Sequence, residues 1–187
     1  MRIIGGNFKG KKILEPKDRE TRPLKDLTKE SIFNIINHSN KFSIDLKKSY
    51  VLDLFSGTGS FGLECLSRKA KHVSFVENYK GILTILKKNL LNLKAINNYS
   101  IIEKNILIDS DFLEKKEKFD IIFLDPPYKE KKVANILNNL FKFEILKRDG
   151  IIIIHRHKKN DEEFPEKFKV IEEKKYGISK IIFGNFI

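Results

Sequence analysis

Asp125-Pro126-Pro127-Tyr128 sets a carboxylate, a backbone carbonyl stiffened by proline and an aromatic ring in fixed order. An ionised carboxylate and a carbonyl both accept hydrogen bonds, and a tyrosine ring has a flat face. The tetrad can therefore hold a planar amino group while stacking on the ring that bears it. Nucleobases present that combination. The preceding run, Phe119-Asp120-Ile121-Ile122-Phe123-Leu124, is short, β-branched and aromatic, and two prolines halt it. It predicts a buried strand that delivers the tetrad to its carboxyl end, where open α/β sheets carry their chemistry. A tetrad that merely terminates a strand is the plainer alternative, and the glycine loop upstream weighs against it.

That loop is Asp53-Leu54-Phe55-Ser56-Gly57-Thr58-Gly59-Ser60-Phe61-Gly62, in which Gly57, Gly59 and Gly62 satisfy G-x-G-x-x-G. The spacing alone is a weak signal. Here it lies at a strand-to-helix junction with Glu77 about 20 residues on, the context of a nucleotide-binding fingerprint whose carboxylate accepts from ribose hydroxyls. A dinucleotide and S-adenosylmethionine both fit. Asp53 favours the second, because a carboxylate at the loop's mouth repels pyrophosphate and attracts an ammonium and a sulfonium. Asp53 could also cap the following helix. Asn105, after the third predicted strand, could pair with an adenine edge or cap a helix starting at 107, and the sequence leaves the two open. The expected donor site is thus Asp53, Phe55, Gly57, Gly59, Glu77 and Asn105, with Asp125, Pro126 and Tyr128 catalytic and Pro127 beside the substrate.

To position these residues the chain must alternate strand and helix from Ser49 onward. Strands are predicted near 50–54, 72–76, 99–103, 119–124 and 150–154, with helices near 60–69, 80–92, 107–115 and 131–142. Such alternation implies right-handed crossovers and a parallel sheet covered on both faces, an α/β fold. Residues 168–174 and 180–186 flank Tyr176-Gly177 and predict a terminal hairpin. Residues 1–14, around Gly5-Gly6 and Gly10, predict a small β-hairpin, and about 26–37 a helix. One domain over 1–187 is expected, with a basic extension at 1–20, a substrate-side helix region at 21–48 and a catalytic core at 49–187.

A net charge of +12 points to a polyanionic partner, although 31 of the 37 basic residues are lysine, as an AT-rich genome would produce. Distribution says more than the sum. Arg2, Lys9, Lys11 and Lys12 share the first twelve residues with no acid, and Phe8 among them can pack inward or stack on a base. The lone Cys65 falls on an apolar helical face and reads as packing. No cysteine–histidine cluster has metal-ligand spacing, and the expectations are no metal, no membrane span and a cytoplasmic monomer. His155 and His157, among Arg156, Lys158 and Lys159, read as loop residues or phosphate contacts, with the loop favoured.

An ionised aspartate is acceptor-only, which suits guanine's adjacent N1–H and N2–H better than adenine, whose amine neighbours an acceptor. The chain resembles the bacterial 16S ribosomal RNA guanine-N2 methyltransferases named for guanine 966. The resemblance rests on Arg2-Ile3-Ile4-Gly5-Gly6 with Lys9-Gly10, Thr21-Arg22-Pro23, Glu30 with Phe33-Asn34, the Asp53–Gly59 loop with Gly62-Leu63-Glu64, the tetrad, and Tyr176-Gly177. It implies a Rossmann-like methyltransferase sheet of seven strands with the last antiparallel, S-adenosylmethionine as donor, and 16S ribosomal RNA in a small-subunit particle as substrate. It also implies an N-terminal hairpin reaching toward RNA and Arg22 near the active site. The sequence departs from the family pattern at Leu24-Lys25, at Leu27 and Lys29 where arginines are usual, and at His155 where glutamate is common. A DNA adenine-N6 methyltransferase and a non-catalytic RNA-binding factor are the competing readings.

Overall fold

The computed structural model describes residues 1–16, 24–94, 96–115 and 117–187, and Thr21-Arg22-Pro23, with the predicted Arg22 contact, lies outside them. After α1 (Asp26–His38) come β1 (Tyr50–Leu54), α2 (Ser60–Ser67), β2 (His72–Val76), α3 (Lys80–Asn92), β3 (Tyr99–Ile102) and β4 (Phe119–Leu124). Then follow α4 (Val133–Lys142), β5 (Leu146–His157), β6 (Phe168–Tyr176) and β7 (Ser179–Phe186). The sheet runs β3-β2-β1-β4-β5-β7-β6, parallel from β3 through β5, with β7 antiparallel to both β5 and β6.

Two-residue alternation builds a core on each face. Val51, Ile121, Phe123 and Ile153 pack with Phe33, Phe61 and Leu86 of α1, α2 and α3, while Leu52, Leu54, Ile122 and Ile154 pack with Ile136, Leu137 and Leu140 of α4. Each such side chain contributes about 1.5–3 kcal/mol when fully buried. Cys65 lies inside the first core, and burial pushes its thiol pKa well up, as expected of a packing residue.

The predicted N-terminal hairpin reduces to one antiparallel bridge, Arg2 with Lys12, and a 3-10 turn at Gly6–Phe8. Backbone bonds still join its arms, Ile3 N–H to the Lys11 carbonyl (2.9 Å) and Ile13 N–H to the Met1 carbonyl (3.0 Å), and further bonds tie it to α2 and α3. Ile4 N–H donates to the Glu64 carboxylate (2.8 Å), Phe8 N–H to Ser67 Oγ (2.9 Å) and Leu14 N–H to Asn89 Oδ1 (2.8 Å). Ile3 and Ile13 are buried beneath. Lys29 is fully buried and donates to the Arg2 carbonyl (2.6 Å), so this departure from the family pattern secures the N-terminal segment. Burial lowers its pKa, against the pull of Glu64 and Asp26.

The helix predicted near 107–115 is also replaced, by a turn and the 3-10 segment Asp111–Lys115. Asn105 Oδ1 takes the Leu107 N–H (3.0 Å) and Asp109 Oδ1 the Asp111 N–H (3.3 Å), local bonds that compete with a helical ladder.

Candidate active site

Parallel register brings the reactive groups together. Asp53 of β1 pairs with Phe123 of β4, and the ladder continues one step as Asp125 N–H donates to the Leu54 carbonyl (3.3 Å). Both carboxyls line a cavity of about 850 Å³ at the carboxyl ends of the strands, together with Phe55, Gly57, Glu77, Asn105, Pro126, Pro127, Tyr128 and His155.

The glycine loop is shaped by close packing. Gly59 opens α2 at φ +82°, and a Cβ on Gly62 would stand 2.2 Å from the Phe75 ring, so the α2 start can approach β2 only with glycine there. Phe55 lies in the left-handed region at φ 59° and turns the chain at the end of β1.

Asp53 is 1% exposed, and its Oδ2 accepts the Gly62 N–H at 3.0 Å, so it caps α2 while facing the cavity. Burial raises its pKa well above the ordinary aspartate value; the Gly62 N–H opposes this, and the charges of Asp125 and Glu77 add to it. A cavity walled by three carboxyls suits a cationic ligand and disfavours a pyrophosphate.

Glu77 is more structural than the sequence suggests. Its Oε2 accepts the Gly57 N–H (2.8 Å), and its Oε1 accepts those of Asn78 (2.8 Å) and Tyr79 (2.9 Å), tying the glycine loop to the start of α3. Asn105 caps a turn, not the helix expected from 107, and it also lines the cavity.

The tetrad is held from β5, and here the sequence reading needs correction. His155 and His157 are not loop residues; they close β5, which extends to His157 because β7 pairs with it through Ile181, Lys180 and Ser179. His155 Nδ1 lies 2.8 Å from Asp125 Oδ1, and the Tyr128 ring stands edge-on between His155 (5.8 Å) and His157 (5.1 Å).

Arg156, which sequence reasoning passed over, is 1% exposed. Its guanidinium donates to the carbonyls of Pro126 (3.5 Å), Pro127 (2.9 Å), Tyr128 (3.4 Å) and Glu130 (2.5 Å) and pairs with Glu162. Lys25 and Lys129 also line the cavity and were missed, since single lysines in a lysine-rich chain carry no local signal.

The N-terminal candidates are not brought to the cavity. Arg2, Phe8, Lys9, Lys11 and Lys12 lie outside its lining. Phe8 is half-buried beneath Lys11, whose Nζ also donates to the Asn92 carbonyl (2.6 Å). The turn therefore sits at the carboxyl ends of α2 and α3, whereas Ser60, Phe61 and Ile82, at their amino ends, border the cavity.

A family model, Conserved hypothetical protein 95, matches residues 1–185. Ribosomal RNA small subunit methyltransferase D of Haemophilus influenzae is 34% identical over 182 residues, covering 95% of this chain and 90% of its own length. The protein of the same name from Escherichia coli is 30% identical, covering 86% and 76%. Among solved structures, a provisionally named methyltransferase from Escherichia coli superposes with a TM-score of 0.81 at 26% identity over 98% of this chain and 96% of that one. A full-length family match, relatives at 30–34% identity and a methyltransferase sheet with the tetrad at its switch point converge on one assignment: the chain belongs to the Conserved hypothetical protein 95 family, that of the small-subunit ribosomal RNA methyltransferase D proteins.

Proposed function

We propose that this protein transfers a methyl group from S-adenosylmethionine to the exocyclic N2 amine of a guanine in 16S ribosomal RNA. The observation that carries the proposal is the placement of Asp125 and Pro126 beside Asp53 and Glu77 around one cavity. Bound there, S-adenosylmethionine supplies an electrophilic methyl on a sulfonium. Asp53 offsets the positive charge, and the loop fixed by Glu77 presents backbone to the ligand. The Asp125 carboxylate accepts from the guanine amine and the neighbouring N1–H, the Pro126 carbonyl accepts the second amine hydrogen, and Tyr128 stacks on the extruded base. Held so, the amine lone pair is withdrawn from ring delocalisation and aimed in line. Positioning of this kind can lower the barrier by roughly 7–11 kcal/mol. As the N–C bond would form and the S–C bond break, releasing S-adenosylhomocysteine, Asp125 would stabilise the nitrogen that becomes more positive, which then gives up one proton to solvent. The names and full-length similarity of the relatives support ribosomal RNA over DNA as substrate.

The test offers labelled S-adenosylmethionine to the purified protein with small subunits lacking the modification, bare ribosomal RNA or duplex DNA, followed by nucleoside analysis. Labelled N2-methylguanine is expected, and Asp125→Ala should abolish it while retaining donor binding. Labelled N6-methyladenine, or full turnover by Asp125→Ala, overturns the proposal.

A further inference from the structure

We propose that His155 is a positioning residue that locks the Asp125 carboxylate, holding Oδ1 and leaving Oδ2 for the target amine; this rests on the function proposed above. Three adjacent strand ends meet at the imidazole. In the parallel β4–β5 register Leu124 pairs with Ile154, so Asp125 and His155 follow side by side, and the antiparallel β5–β7 register sets Ser179 opposite His157. The result is a chain of hydrogen bonds: Asp125 Oδ1 to His155 Nδ1 at 2.8 Å and His155 Nε2 to Ser179 Oγ at 3.0 Å. His155 is 7% exposed and Ser179 5%.

The polarity of the chain follows from its members. An ionised carboxylate has no hydrogen to give, so Nδ1 carries one and donates it to Oδ1. In the neutral ring Nε2 is then an acceptor, and the Ser179 hydroxyl donates to it, which fixes the tautomer. The Tyr128 hydroxyl lies 3.5 Å from the same Nε2. One imidazole thus touches both tetrad side chains that address the base. It acts through them: both ring nitrogens are committed, and His155 is given no proton to move during transfer.

The consequence is orientational. Asp125 Oδ1 holds the ring with one lone pair and the carboxylate plane is set, so Oδ2 is left for the target amine and the second lone pair of Oδ1 for the neighbouring N1–H. Released from His155, a side chain about one-fifth exposed would sample other rotamers, and misplacement of a catalytic group by about 1 Å costs on the order of 100-fold in rate.

The experiment compares His155→Phe, which keeps an aromatic ring without the donor, and His155→Asn, whose amide N–H replaces Nδ1–H, in the methyl-transfer assay. His155→Phe is expected to lower kcat about 100-fold with the donor KM within about twofold of wild type, and His155→Asn to recover at least tenfold of the loss. A merely structural role would shift KM, kcat and Tm together, with no recovery by asparagine, and that pattern overturns the proposal, as does an unchanged kcat in His155→Phe. Imidazole nitrogen NMR of the substrate-free protein is expected to find the His155 Nδ1 protonated. An Nδ1 without a proton overturns the positioning role by itself. A wild-type protein that methylates no RNA overturns the function while leaving the tautomer readable, so the two failures are distinct.

Discussion

Asp53 is the residue whose energetics most directly link fold and ligand. Its carboxyl is buried and its pKa is raised, chiefly by loss of solvent, so the folded chain binds its proton more tightly than the unfolded chain does. For an acid shifted upward, the stability it contributes is fully present below the unfolded carboxylate pKa and is lost as pH rises through the folded one. The ligand-free protein should therefore lose part of its thermal stability from the ordinary carboxylate range upward, and Asp53→Asn should flatten that segment of the Tm–pH curve. On the function proposed above, the same substitution removes the partner of a cationic donor. Above the raised pKa, where wild-type Asp53 is ionised, S-adenosylmethionine should bind the variant at least tenfold more weakly by calorimetry, or about 1.4 kcal/mol, whereas wild-type affinity should decline as pH falls through that pKa. Superposable Tm–pH curves for wild type and variant would rule out the account. Half of this was legible in the sequence: the carboxylate's place at the end of β1 and its alternative as a cap both follow from spacing. The burial did not, because it depends on β4 and α2 closing over it.

At the scale of the element, β5 shows where local pattern stops being informative. The expected strand ended at Ile154 because His155-Arg156-His157 reads as polar and exposed, yet it is covered by the tetrad loop on one side and paired with β7 on the other. Neither partner is near in sequence. Where a strand or helix carries its own apolar period, as β1, β2, β4 and α3 do, prediction and structure coincide. Where side chains bond their own backbone, as at Asn105 and Asp109, the helical period is overridden.

The extension of β5 makes Arg156 the strut of the catalytic loop. All five of its N–H donors are engaged, four with carbonyls of residues 126–130 and Nε with Glu162. Arg156→Met would strand a buried glutamate and those carbonyls together. Breaking a buried pair from one side costs about 3–5 kcal/mol, so urea unfolding should register a loss of that size, with partial recovery in Arg156→Met/Glu162→Gln. A loss under about 1 kcal/mol would mean the loop holds its shape without the strut.

Across the whole molecule, the acid-free N-terminal turn and the cavity occupy different ends. The cavity borders the amino ends of α2 and α3, while Phe8 and Lys11 dock on their carboxyl ends, and α3 alone, at 13 residues, is about 20 Å long. A single nucleotide cannot reach from one to the other; a structured polyanion can. Lys9, Lys11 and Lys12, all exposed, are the residues through which the expected RNA contact at this turn can be tested. Replacing the three with alanine should weaken binding to a ribosomal RNA fragment and reduce the slope of log K against log salt by about 2–3, since each neutralised phosphate accounts for roughly 0.7–0.9. With RNA saturating, kcat should stay within about twofold of wild type, because none of the three lines the cavity. Fluorescence anisotropy across a salt series reads the first quantity and the methyl-transfer assay the second. An unchanged slope would remove the N-terminal segment from the RNA interface, and a collapsed kcat at saturation would mean that this distant turn also controls the geometry of the tetrad.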